Sequence, residues 1–349
     1  MIKVAVFGTS GYGGAEILRI LNAHDEVKLN YFGANTQSGQ RIDKSLGHFY
    51  KHFDSIMDNK DLESVCEEND CILAATPHDF LAKILTKDML KKCVIIDLSA
   101  DFRLKNAKKY EEYYNFTHPN ISLLQDSVYG LSELYRDSIK EANLIANPGC
   151  YPTCSTLCIA PFLKHGIIDK KSIIIDAKSG VSGAGRSTKL DNLFCEVHEN
   201  VKAYGLINHR HTAEIEENLS IISNSEITLS FTPHLIPMNR GILITAYAQL
   251  ESKYESITEK ETQEILTNFY ANSYFIRVLE YGVAPQTRWV KGSNFVDVSV
   301  CLDKRNRRLI MMGALDNLVK GAAGQAIQNL NIRFGFTEHK ALGQLPLFP

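Results

Sequence analysis

Short apolar runs alternate with helix-spaced segments through the first 150 residues. Lys3 to Phe7 is a strand-like run, Ala15 to Ala23 follows with helical spacing, and Val27 to Phe32 is a second strand. Cys71 to Ala75 and Val94 to Leu98 repeat the strand signal around a helix-like stretch from Phe80 to Leu90, and Leu144 to Ala146 closes the series. Apolar strands separated by helices are buried on both faces, so this half predicts α/β architecture with a doubly wound parallel sheet.

The pattern changes after about residue 165. Ser172 to Ala177, Glu226 to Phe231, Ile242 to Leu250 and Phe295 to Leu302 are longer strands with fewer helices between them. Arg308 to Met312 follows the turn Asp303 to Arg307 and pairs back on Phe295 to Leu302. These segments predict an α+β domain with a largely antiparallel sheet. Gly313 to Leu330 reads as one amphipathic helix returning to the first domain. The expected division is therefore 1–149 completed by 313–349, and 150–312.

The length of 349 residues fits two or three domains at about 150 each. With 38 basic and 40 acidic residues there is no global field to attract nucleic acid or an anionic membrane. The uncharged stretch Asn143 to Leu163 holds Pro148, Pro152 and Pro161, which argue against a single spanning helix. The first residues enter a strand pattern with no signal-peptide layout, so a cytoplasmic chain with reduced thiols is expected. Of the eight cysteines, Cys66, Cys71, Cys93, Cys195 and Cys301 carry no motif. Cys150, Cys154 and Cys158 share a helical face but span about 12 Å by helix rise, too far for one metal ion. No metal is expected.

The first strand runs into Gly8-Thr9-Ser10-Gly11-Tyr12-Gly13-Gly14 and then a helix. Glycines spaced GxxGxxG between strand and helix let backbone amides approach a pyrophosphate at the positive end of the helix, a Rossmann-type arrangement. A plain tight turn is the alternative. The second strand ends at Phe32-Gly33-Ala34-Asn35-Thr36-Gln37-Ser38, with no acid to bind a ribose 2′-hydroxyl. Ser38 and Arg41 suit a 2′-phosphate instead, which favours NADP.

Asn147-Pro148-Gly149-Cys150-Tyr151-Pro152-Thr153 puts a thiol at a turn just before a helix, where the dipole favours thiolate over thiol. A buried core cysteine is the alternative, and the expected fate of Cys154 and Cys158. Asn208-His209-Arg210-His211-Thr212-Ala213-Glu214 enters another helix, with Thr212 as a plausible N-cap. His211 just ahead of it would stay neutral, as a general acid/base requires, and Glu214 could orient it; a surface or cap-packing histidine is the alternative. Lys178 to Arg186 and Pro233 to Gly241 combine glycines, hydroxyls and cations in the manner of anion-binding loops, although the first also reads as a flexible surface loop. Lys304 to Arg308 reads as a solvated hairpin turn.

A dinucleotide loop, an activated thiol and a neutral histidine suggest aldehyde–acyl chemistry through a thioester. At these residues the chain resembles the N-acetyl-γ-glutamyl-phosphate reductase family of arginine biosynthesis, related to aspartate-semialdehyde dehydrogenase. The matching segments run in order: GTSGYGGAE (8–16), DLSADFRL (97–104), ANPGCYPT (146–153), KSGVSGAGR (178–186), HRHTAEI (209–215), TPHLIPMNRGI (232–242), KGSNF (291–295) and GALDNLVKGAAGQAIQN (313–329). Asn35-Thr36-Gln37 departs from the family's usual serine-rich stretch.

The resemblance implies that Cys150 attacks an acyl phosphate, that NADPH reduces the thioester, and that His211 is the acid/base. Ser182, Gly183 and Arg186 would hold phosphate, the first two on the cofactor side with Asn317 and the 8–14 loop. Asn147, Ser179, Arg186, Glu214 and Arg240 would face substrate, Arg240 holding its carboxylate. A homodimer or homotetramer is implied. The rivals are the aspartate-semialdehyde enzyme, a lysine-pathway acyl-phosphate reductase, and a non-catalytic NADP sensor, against which intact Cys150, His211 and Arg240 argue.

Overall fold

The computed structural model describes residues 1–348 and divides the chain into two compact units. One is Met1–Pro148 with Ala322–Gly343; the other is Gly149–Gly321 with the segment from Gln344 onward.

The first unit is built on β1 (Ile2–Phe7), α1 (Tyr12–Leu21), β2 (Val27–Gly33), β3 (Cys71–Ala74), β4 (Val94–Asp97), β5 (Val128–Tyr129), α2 (Ser132–Glu141) and β6 (Leu144–Ala146). Its sheet has the order β2-β1-β3-β4-β6-β5, and every pairing is parallel. β3 and β4 are buried throughout, as uniformly apolar strands require. The chain leaves β1 for one side and later returns on the other with β3. That reversal opens a crevice at the carboxyl ends of these two strands. The expected helix from Phe80 to Leu90 is two short ones, Phe80–Ile84 and Lys87–Lys92, because Thr86 turns its hydroxyl to the Met89 amide and restarts the winding.

The second unit holds α3 (Cys150–Lys164), β7 (Ile174–Ser179), β8 (Lys202–Ala203), α4 (Arg210–Ser223), β9 (Ser230–Leu235), β10 (Ile242–Gln249), α5 (Glu259–Phe269), β11 (Ile276–Val278), β12 (Val296–Asp303) and β13 (Arg308–Leu315). The sheet order is β11-β12-β13-β10-β7-β9-β8, antiparallel except at β11–β12 and β7–β9. The expected hairpin forms with Asp303 opposite Arg308, and its basic turn is exposed. The chain then re-enters the first unit as α6 (Gly324–Arg333).

Two further expectations are corrected. The strand expected at Glu226 to Phe231 lies at Ser230–Leu235 and runs through Pro233. The Pro233 carbonyl accepts the Tyr204 amide, so its missing N–H faces the two-residue edge strand β8, where none is needed. Gly313 to Leu330 is not one helix. Residues 313–315 continue β13, and the Asp316 carboxylate caps the Leu318 and Val319 amides at 2.8 and 3.1 Å. Winding therefore starts late, with a π-turn over Val319–Ala323, and residues 313–321 stay with the second unit. Finally, α3 contains Pro161. The Leu157 carbonyl that a proline cannot serve accepts the Tyr270 hydroxyl instead, at 2.6 Å. No helix among the described residues is long and apolar enough to cross a membrane.

Tyr270→Phe should leave that buried carbonyl unsatisfied. Urea unfolding is expected to show a stability loss of about 1–3 kcal/mol; an unchanged midpoint would show that the hydroxyl does not stand in for the missing amide.

Candidate active site

The 8–14 loop uses its glycines for different reasons. Gly8 has φ +76°, and a Cβ there would sit 2.1 Å from the Ala75 carbonyl oxygen. A Cβ on Gly14 would sit 2.2 Å from the Gly8 oxygen, so the helix can approach the strand this closely only without side chains. Gly11 is the N-cap of α1, whose first turn carries no acid and receives no side-chain cap. The amides of Tyr12, Gly13 and Gly14 are those a helix leaves without intrahelical acceptors. At the mouth of the β1–β3 crevice they fit a pyrophosphate.

In the second unit Cys150 is the first residue of α3, capped by Gly149 in extended conformation. It is half-buried, whereas Cys154 and Cys158 are in the core. A Cβ on Gly313 would meet the Cys158 sulfur at 2.3 Å, so this cysteine face is packed flush on β13. Gly321 crowds Cys150 itself: a Cβ there would lie 2.7 Å from the Cys150 Cβ. The Gly149 amide donates to the Glu214 carboxylate at 2.8 Å, and Glu214 is fully buried.

Tyr151 links thiol and histidines. Its ring meets His211 and His209 edge-on at centroid distances of 5.9 and 5.8 Å, and Phe231 at 5.3 Å. Its hydroxyl accepts that of Tyr204 at 3.1 Å. Burial raises the ionisation of both tyrosines, Tyr204 to about 12, so both stay neutral hydroxyls. His209 lies 5.0 Å from His211, ring to ring, and its imidazole accepts the His211 amide. Burial first, then the adjacent Arg210, lowers His209 to about 4, so it is a neutral cap at pH 7.

The two anion-loop candidates are one structure. The Gly180, Val181 and Ser182 amides bond to Gly241, Met238 and Asn239 carbonyls. A Cβ on Gly180 would meet the Asn239 oxygen at 2.7 Å. Asn317 fastens the joint: it accepts the Gly241 amide at 2.7 Å and donates to the Ser182 hydroxyl at 2.9 Å, which itself bonds the Asn239 carbonyl at 2.6 Å. A Cβ on Gly183 would lie 3.7 Å from this amide nitrogen, and Ser179 is buried with its hydroxyl on the Gly180 carbonyl. Arg240 stands 3.5 Å from the Asp316 carboxylate. Among the described residues no three His, Cys, Asp or Glu side chains gather as metal ligands.

A family model described as the semialdehyde dehydrogenase NAD binding domain matches residues 3–142, and one described as the semialdehyde dehydrogenase dimerisation domain matches residues 150–317. The N-acetyl-γ-glutamyl-phosphate reductase of Lachnoclostridium phytofermentans is 51% identical over 349 residues, 100% of each chain. That of Campylobacter jejuni subsp. doylei is 54% identical over 98% of each chain. The chain belongs to the N-acetyl-γ-glutamyl-phosphate reductase family. Among solved structures, aspartate semialdehyde dehydrogenase II of Vibrio cholerae, complexed with ASA, aligns with a TM-score of 0.71 over 96% of this chain and 98% of that one. The enzyme of Candida albicans with NADP aligns with a TM-score of 0.67 over 95% and 98%. At 17% and 14% identity these show a shared fold.

Several residues expected at the site also hold the fold together. Asn147 is buried: its side chain donates to the Ala322 carbonyl and accepts from Asn329, so it ties the first unit together. Thr9 is also buried, its hydroxyl on the Val6 carbonyl and its amide on Gly33. Glu214 holds the turn before Cys150 from inside the core. Thr212 is not the N-cap; His209 is, which places His211 in the first turn of α4. Arg41 has two donors on Asp43 at 3.0 and 2.8 Å, and Lys178 is paired with Asp176, so neither is an uncommitted cation. Ser38 and Arg186 are exposed. Sequence reasoning missed Asp316, Tyr151, Tyr204 and Gly321. Only the paired histidines of HRH hinted that one of them is the cap.

His209 binds a proton in the unfolded chain near pH 6.5 but in the folded one only near 4. Its neutral cap therefore contributes stability that is complete above pH 6.5 and lost as pH falls toward 4. His209→Asn keeps a capping oxygen without the titration. Its urea midpoint should fall less than wild type between pH 7.5 and 5; equal falls would remove His209 from the acid sensitivity.

Proposed function

We propose that the chain catalyses NADPH-dependent reduction of N-acetyl-γ-glutamyl phosphate to N-acetylglutamate 5-semialdehyde and phosphate, a step of arginine biosynthesis. The observation that carries the reading is Cys150 at the first position of α3, joined through the Tyr151 ring to His211. The full-length identity to reductases of that name supports it.

The helix N-terminus favours negative charge on sulfur. The Cys150 sulfur adds to the acyl carbon, the carbon–oxygen bond to phosphate breaks, and a thioester forms. Phosphate leaves toward the loop at Ser182 and Gly183, with Arg186 alongside, while Arg240 holds the substrate carboxylate. When bound, the cofactor supplies hydride to the thioester carbon. His211, carrying the proton it took from the Cys150 thiol as the sulfur attacked, protonates the resulting oxygen and gives a thiohemiacetal on Cys150. It then takes that proton back as the carbon–sulfur bond breaks, releasing aldehyde and restoring the thiolate. The 8–14 loop holds the pyrophosphate. With Arg41 already paired, preference for a 2′-phosphate falls on the exposed turn Asn35–Ser38. A homo-oligomer assembled through the second unit and a cytoplasmic location belong to the same reading; the family model's description and the eight free thiols support them.

The test is the reverse reaction, NADP⁺ reduction by N-acetylglutamate semialdehyde with and without phosphate. Phosphate-dependent NADPH formation is expected; activity with aspartate semialdehyde alone would move the chain to the sister activity. Cys150→Ala should abolish turnover, and His211→Asn should slow it about 10²–10⁴-fold. A Cys150→Ala variant that still turned over would rule out the thioester. Ser38→Asp should raise the KM for NADPH well above any change for NADH; equal changes would place 2′-phosphate recognition elsewhere.

A further inference from the structure

We infer that Asp316 is a positioning residue: it fixes the Arg240 guanidinium relative to the Cys150 thiol and so sets the length of acyl chain the site accepts. The inference rests on the reading above, in which Arg240 takes the substrate carboxylate and Cys150 the acyl carbon.

Asp316 is fully buried and is held from several sides. One carboxylate oxygen accepts the Gly292 amide at 2.7 Å and lies 3.5 Å from Arg240. The other caps Leu318 and Val319. Its backbone carbonyl accepts the Gly321 amide at 2.9 Å, and Gly321 is the residue with no room for a side chain against Cys150. The carboxylate therefore faces the cation while the carbonyl of the same residue holds the wall behind the nucleophile.

Strand register explains the meeting. Ile242 of β10 pairs with Leu315 of β13, so Arg240 and Asp316 leave adjacent strand ends together. Asn317 holds the main chain at Gly241, and Asp316 faces the charged head of Arg240. A buried carboxylate requires partners, and a guanidinium paired with it loses the freedom to follow a substrate of different length. A cation held in this way favours one spacing between acyl carbon and carboxylate over a spacing one methylene shorter.

The experiment uses the full chain and the reverse reaction with N-acetylglutamate semialdehyde and with aspartate semialdehyde. Asp316→Asn keeps the volume and one capping oxygen but removes the charge facing Arg240. The KM for the longer aldehyde should rise about 10–100-fold, the loss of one hydrogen-bonded charged contact. The KM for NADP⁺ and the rate of Cys150 alkylation by iodoacetamide should not change. Asp316→Glu keeps the charge and pushes Arg240 forward, so selectivity should shift toward the shorter aldehyde. An unchanged KM in both variants overturns the proposal, as does a parallel loss of NADP⁺ affinity and altered thiol reactivity, which would mark a merely structural residue. Phenylglyoxal modification of Arg240, followed by peptide mass spectrometry, reads the pairing without turnover. It should be several-fold faster in Asp316→Asn, and an equal rate overturns the proposal. If wild type turns over neither aldehyde, the function reading fails and the arginine-modification result still decides the role of Asp316. Should the Asn variant not fold, the Glu variant carries the same comparisons.

Discussion

The hydrogen bond from the Gly149 amide to the buried Glu214 carboxylate is the constraint on which the site is assembled. It joins the head of α3, where the thiol sits, to the first turns of α4, which carries His211. A carboxylate with no exposure is stable only with fixed donors around it. The distance between the heads of the two helices is therefore not adjustable. Tyr151 then fills the angle between them, and its ring contacts keep His211 beside the start of α3. Cys150 and His211 are placed by one charged tether and one aromatic wedge.

The joint between residues 180–183 and 238–241 follows a different rule. It is made of main chain, and its shape is set by side-chain hydrogen bonds. Ser182, Asn239 and Gly241 are locked by Asn317, and Gly292 by Asp316. The Gly180, Val181 and Ser182 amides already have carbonyl partners, so the shape of this joint is set within the chain itself.

Features determined locally were legible in the chain. The glycine loop, Cys150 at a helix start and the β12–β13 hairpin each depend on neighbours within a few residues. What was not legible depends on distant partners. Asn147 looks like a ligand because it precedes the nucleophile, yet residues 322 and 329 decide its role. Pro161 sits inside α3 because Tyr270, at the C-cap of α5, supplies the missing donor. The 313–330 segment has helical spacing, and only the cap made by Asp316 shows where winding starts. The pairing of Arg41 with Asp43, two residues away, was within reach of sequence reasoning.

The fit of Cys158 against Gly313 carries a consequence for divergence of the sequence. The two positions share one volume: a methyl on residue 313 has no place while sulfur occupies 158. Each is locked only while the other is unchanged. A smaller side chain at 158 would relieve the collision and leave alanine at 313 a 3.2 Å approach to the Cys154 sulfur; the order of the two substitutions would matter, since the cavity is tolerated more readily than the collision. Beneath the catalytic helix, drift should proceed through paired exchanges that begin with the smaller residue.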